Sequence, residues 1–155
     1  MAERFSTGLR NEVGKSGGSS YADALLNGVI YLFTGTQPSD ADQSELTYSV
    51  VCIISAGGLT FTPGSPTNGI NLDTAVGGII YKAAAEEWKG TNLISGKIGW
   101  GRFYGNLRTQ DASTTAIRFD FAVSQSGAEL TLGTTDAEAG GETKINEFEV
   151  RLPGA

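Results

Sequence analysis

Three features of the chain point to an all-β fold: an antiparallel β-sandwich, jelly-roll-like, with one short N-terminal helix and an extended N-terminal arm. Apolar runs of strand length recur at sandwich-like spacing between turn-forming clusters. Glycine is abundant, with 22 in 155 residues, about twice average usage, as expected of a chain with many turns. Helical patterns long enough for parallel crossovers are missing, which leaves no room for a doubly wound or barrel α/β fold.

The elements follow in order. Residues 1–18 read as the arm and residues 19–155 as a single sandwich domain. Within the arm, Phe5 and Leu9 are apolar anchors four residues apart, and Arg4, Arg10 and Lys15 concentrate positive charge in an acidic chain. Gly14, Gly17 and Gly18 provide slack. Ser20 as N-cap with Asp23 three residues later opens a short helix, and Asn27-Gly28 stops it. "VIYLFTG" (29–35) and "LTYSVVCIIS" (46–55) are apolar on both faces, as expected of strands covered on two sides. Between them "TQPSDADQSE" is a polar turn.

Further strands are expected at 58–62, 68–72, 78–83, 96–105, 116–123, 128–132 and 147–152, with one helical turn in "AAAEEWKG" (83–90). "AIRFDFAV" alternates: Ile117, Phe119, Phe121 and Val123 face inward, Arg118, Asp120 and Ala122 outward. In "GWGRFYG" Trp100, Arg102 and Tyr104 share one face, and Gly99, Gly101, Phe103 and Gly105 the other. That nearly bare face invites close backbone approach by a strand or a neighbouring chain.

Composition excludes several chemistries. Histidine is absent, which removes serine–histidine catalysis and zinc–histidine sites. The net charge of −6 is opposite to a nucleic-acid footprint, so no nucleic-acid partner is expected. No apolar stretch approaches the roughly 18 residues of a membrane helix, and the amino terminus lacks a signal-peptide pattern, so a cytosolic chain without a membrane partner is expected. Cys52, the single cysteine, sits in an apolar run and reads as a core residue.

Three motifs invite a functional reading. "GLRNEVGKS" ends like a phosphate-binding loop, yet five residues separate Gly8 from Gly14 where that loop has four, and no apolar strand precedes it. "DADQSE" offers carboxylates, but Glu45 and Val51 stand where a calcium hand has glycine and glutamate. Trp88, Trp100, Tyr81 and Tyr104 are candidates for a sugar-stacking platform, and equally for a core or an interface. No nucleophile–base pair can be assembled, so neither enzymatic activity nor a cofactor is expected.

"RFSTGLRN", "SSYADALLNGVIYLFTGTQPSDADQSE" and the later "W…SGKIGWGRFYG" resemble small proteins encoded among the structural genes of tailed bacteriophages. The first half matches closely, the rest mainly at the two tryptophans. The resemblance implies a virion component assembled in the host cytoplasm, and among such components a capsid decoration or cement protein suits an acidic, glycine-rich β protein. Its partners would be the major capsid protein or other virion proteins, and further copies of itself, with a trimer favoured. The expected interaction residues are Arg4, Phe5, Leu9, Arg10 and Lys15 of the arm and Trp100, Arg102 and Tyr104 of the glycine-flanked strand. A minor tail or baseplate adaptor, or a carbohydrate-binding module, is the alternative.

Overall fold

The computed structural model describes residues 3–125 and 130–152. They form a mostly β structure whose strands pair antiparallel, with a single parallel pair between β7 (Arg118–Ser124) and β8 (Leu130–Thr131). The large sheet has nine strands. Its order is β1 (Arg4–Phe5), β7, β6 (Gly96–Tyr104), β2 (Val29–Thr34), β3 (Val50–Ala56), β5 (Trp88–Thr91) and β10 (Glu142–Ile145), with β8 beside β7 and β9 (Asp136–Ala137) beside β6. A second sheet pairs β4 (Ile79–Tyr81) with β11 (Glu149–Arg151).

One face of the large sheet carries the apolar core. Ile30, Leu32, Cys52, Ile54, Trp88, Phe103, Phe119 and Phe121 are fully buried there. Phe148, just before β11, lies 5.0 Å from Phe121, 5.7 Å from Trp88 and 6.1 Å from Phe103 between ring centroids. With Ile80 and Val150 it packs the small sheet into this core. Burying such a ring cluster contributes about 2 kcal/mol per side chain, before the added preference for tilted ring pairs.

The glycine pattern of β6 is explained here. A Cβ on Gly101 would come within 2.5 Å of the Phe121 ring, and one on Gly99 within 1.9 Å of the Gly35 carbonyl oxygen. The close approach is real but intramolecular, so this face offers no bare surface to another copy. Of the two neighbours this face invited, a strand or another chain, the structure supplies the strand, so the glycines give no support to the favoured trimer.

The N-terminal segment departs from the expected arm. Arg4–Phe5 adds a strand to the sheet, with Arg4 opposite Asp120 and Phe5 opposite Phe119. Ser6 then caps α1 (Thr7–Gly14) through a bond from the Leu9 amide. Leu9 is fully buried, and Gly8 lies so close to the backbone of Thr115 that a Cβ would sit 2.3 Å from its carbonyl oxygen. The physical reason is that Phe5 and Leu9 both find the core, and helix formation lets them do so without unpaired backbone. Residues 3–18 therefore belong to the body rather than to an extended arm.

Other expectations fare unevenly. The Ser20-capped helix is α2 (Tyr21–Ala24), its Asp23 amide bonded to Ser20 Oγ at 3.1 Å. Asn27 takes a left-handed φ of 52°, and Gly28 then bridges to Ile70. Residues 58–62 form no strand, and 68–72 contribute only isolated bridges. Strand β3 starts four residues later than expected, because 46–49 join a segment that covers the sheet. "AAAEEWKG" makes a turn at Ala84 and Ala85 and then enters β5. The beginning of the strand expected over 128–132 lies outside the described residues.

Candidate functional site

The second face of the large sheet carries the polar and aromatic residues singled out by sequence. Register places Arg102 between Tyr31 of β2 and Asp120 of β7, Trp100 beside Phe33, and Tyr104 beside Arg118. Trp100, Arg102 and Tyr104 do share a face, as their spacing requires. They are not exposed on it: Trp100 and Arg102 are 0% accessible and Tyr104 is 1%. Arg118 and Asp120, expected to face solvent, are also 0% accessible. The correction has one cause, which is that residues 37–48 and 106–113 fold over this face.

Guanidinium groups tie those two segments down. Arg102 makes a two-point contact with Asp120, Nε to Oδ1 at 2.6 Å and Nη2 to Oδ2 at 2.9 Å, and donates Nη1 to the Gln43 carbonyl at 2.7 Å. Arg118 donates to the carbonyls of Gln43 at 3.3 Å and Thr109 at 2.9 Å, to Thr109 Oγ1 at 2.9 Å, and to the Asp111 carbonyl. Arg108 pairs with the buried Glu45 and sits over Tyr31, its guanidinium carbon 3.8 Å from the ring centroid. The planar fork of arginine suits these roles because it bonds several carbonyls at once and stacks on rings.

Burial shapes the charges. It works against the Arg102 cation, but the Asp120 bond and field overcome it and hold the guanidinium above its usual value. Burial, with the Glu45 charge nearby, pushes the Tyr104 phenol far up, so it stays neutral. Burial and the like charge of Arg102 lower Arg118. Among the described residues, Trp100 Nε1 and the Nε atoms of Arg108 and Arg118 meet no acceptor within hydrogen-bond distance. Together these groups form a structural network, not an accessible pocket.

The arm residues also separate. Arg4 and Phe5 are half-buried, Phe5 stacking on Phe119 at 5.0 Å, and Leu9 is in the core. Arg10 and Lys15 stay exposed, Arg10 bonded to Thr7 Oγ1 and Lys15 paired with Glu12 at 2.7 Å. Gly14-Lys15-Ser16 lies at the C-terminal end of α1, where a phosphate loop would open a helix. The "DADQSE" carboxylates diverge: Asp42 accepts from Thr7, and Glu45 turns inward to Arg108. Among the described residues no three metal-ligating side chains converge. Of the expected sugar platform, Trp88, Trp100 and Tyr104 are interior, and Tyr81 is exposed by itself on β4.

The surface feature that sequence reasoning missed lies at the end of the sheet where α2, the 57–68 loop and residues 105–117 meet. Asn106 binds them together, donating to the Asn27 carbonyl at 3.0 Å and the Ser65 carbonyl at 2.7 Å. A groove of about 630 Å³ opens there, lined by Leu26, Pro66, Leu107, Ala116 and Ile117 among others. Leu26 is 49% and Leu107 77% exposed. Exposed leucines in two turn sequences were the available signal, but nothing local says that the turns adjoin. No protein-family model, curated protein or solved structure matches the chain.

Proposed function

We propose that the protein is a structural component of a tailed-bacteriophage virion, a capsid decoration or cement protein that acts by burying surface against the major capsid protein. The observation that carries this reading is the groove where the exposed Leu26 and Leu107 adjoin Pro66 and Ile117 among polar neighbours such as Asn27 and Thr109, presented by a body whose own core is closed. Exposed apolar surface gathered at one end of a protein marks an interaction site. The resemblance of residues 4–45 to phage structural proteins supports the class of partner. A sandwich-like body, with the β4–β11 sheet as its second layer, provides a rigid mount, and repeated weak contacts over a symmetric shell would sum.

The reading is tested by mixing purified chain with complete phage particles that lack it and measuring occupancy by co-sedimentation and cryo-electron microscopy. Saturable density at every equivalent capsomer joint is expected. Leu26→Asp and Leu107→Asp should each lower the affinity at least about tenfold, equal to 1.4 kcal/mol, with melting unchanged. Density confined to the tail tip would make it a tail or baseplate adaptor instead.

A further inference from the structure

The large sheet ends at β10, whose outer side pairs with no other described strand. Which of its backbone groups point outward follows from the ladder on its inner side. Asn92 donates to the Gly141 carbonyl at 2.8 Å, while residues 87 and 93 bond Gly57 and Val51 on the β3 side, so the even-numbered residues of this stretch turn their backbone groups toward β10. The pairing register sets Thr143 opposite Gly90 and Ile145 opposite Trp88. Antiparallel pairs alternate between bonded and non-bonded, so Thr143 and Ile145 turn their N–H and C=O groups toward β5. Glu142 and Lys144 turn theirs to the open edge. Their side chains, on the same face of the strand, are exposed.

We infer that β10 pairs antiparallel with β10 of a second copy, about a two-fold axis at Thr143, to make one sheet continuous across a dimer. Only residues with outward backbone groups can form bonded pairs across such an axis, which restricts the central registers to three. Glu142 opposite Glu142 and Lys144 opposite Lys144 each set like charges face to face, which destabilises a cross-strand pair. The third sets Glu142 opposite Lys144 on both sides of the axis, with both residues exchanging their N–H···O bonds. The edge is thus self-complementary in hydrogen bonds and in charge at the same register.

The neighbouring charges extend the match. Within one copy Lys144 pairs with Glu87 at 3.2 Å, Lys89 with Glu87 at 2.7 Å, and Lys89 reaches Glu142 at 3.7 Å. Signs alternate around this ring, and the two-fold would join two such rings through the Glu142–Lys144 contacts. A lone lysine on an edge strand keeps other strands away. An alternating glutamate and lysine two residues apart instead admit one register and reject the others. The two-fold contact is isologous and closed, so it stops at two copies. With four residues in the strand the interface is small, and the association is weak and concentration-dependent.

The inference does not rest on the virion reading. It is tested on the full chain by sedimentation equilibrium from micromolar to millimolar concentration, with amide exchange read by NMR over the same range. A reversible monomer–dimer equilibrium is expected, with the Glu142 and Lys144 amides becoming protected as the dimer forms. Lys144→Glu and Glu142→Lys should each weaken association at least about tenfold. The double variant Glu142→Lys/Lys144→Glu restores opposite charges across the axis, at the cost of like charges beside Glu87 and Lys89 within each copy, and should still associate more tightly than either single variant. A monomer at every concentration would overturn the inference. So would single variants that associate as well as the native chain, a double variant that stays monomeric, or a dimer in which both amides exchange freely.

Discussion

Asp120 and Arg102 have no access to water, so each replaces the solvent the other lost on folding. Removing one partner leaves a buried charge without its counter-ion, and the cost is set by that orphan more than by the lost attraction. Asp120→Ala is therefore expected to destabilise the protein by about 3–5 kcal/mol in urea unfolding, while Arg102→Met/Asp120→Leu should recover most of the loss. Cys52 gives a residue-scale test of burial by pH. Burial pushes its thiol up to about 11 from an ordinary value of 9.0. Above pH 9 the unfolded chain releases this proton while the native state keeps it, so stability present below pH 9 declines as pH rises to about 11. The decline attributable to the thiol should approach 3 kcal/mol as an order of magnitude, and Cys52→Val should lack it. Both residues were named by sequence, but only Cys52 was placed correctly. Apolar neighbours mark a buried thiol, whereas nothing beside Asp120 shows what covers it.

Among the elements, α1 was hidden behind its glycines. Gly14, Gly17 and Gly18 read as slack, yet Gly14 ends the helix, and Gly8, weighed only as the start of a phosphate loop, is required for close docking against Thr115. Propensity counted against a helix whose stability comes from one buried leucine and a serine cap. Leu9→Ala should accordingly cost about 2–4 kcal/mol in thermal or urea unfolding, and removal of residues 2–18 should lower the melting temperature clearly. An arm lying outside the body would leave both measurements unchanged. Strand β5 was missed for a related reason: Lys89 and Gly90 are poor strand formers, but Trp88 fills the core and Gly90 passes close under the Ile53 carbonyl. By contrast β2, β6 and β7 were legible, since each carries enough alternating or continuous apolar residues to declare its period.

At the scale of the molecule, the covering segments 37–48 and 106–113 are loops by composition that close one face of the sheet from water. Arg118 reaches carbonyls on both, so Arg118→Ala should release them together. Limited proteolysis of the native protein is expected to spare 37–48 despite its polar, turn-rich sequence, and the variant should be cut there and at 106–113. Cleavage of the native chain at those loops at the same rate would contradict the network's role. Because the ion pairs concerned are buried, moderate salt should leave this protection unchanged.

Periodicity and composition alone determined that the chain is rich in antiparallel strands, that Cys52 is interior, that Ser20 starts a helix and that Trp100, Arg102 and Tyr104 share a face. Those conclusions need only the two-residue period of a strand, local capping chemistry and the hydrophobicity of near neighbours. Which face is covered, by what, and which glycines meet which carbonyls was decided by tertiary structure. The guanidiniums of Arg102 and Arg118 each donate to an acceptor 59 and 75 residues away at Gln43, and the groove and the β10 edge likewise join or expose groups brought together only by the sheet order. A polar residue in an alternating strand looks the same in sequence whether water or a distant carbonyl meets it, because its own period fixes the side it faces and not what lies there.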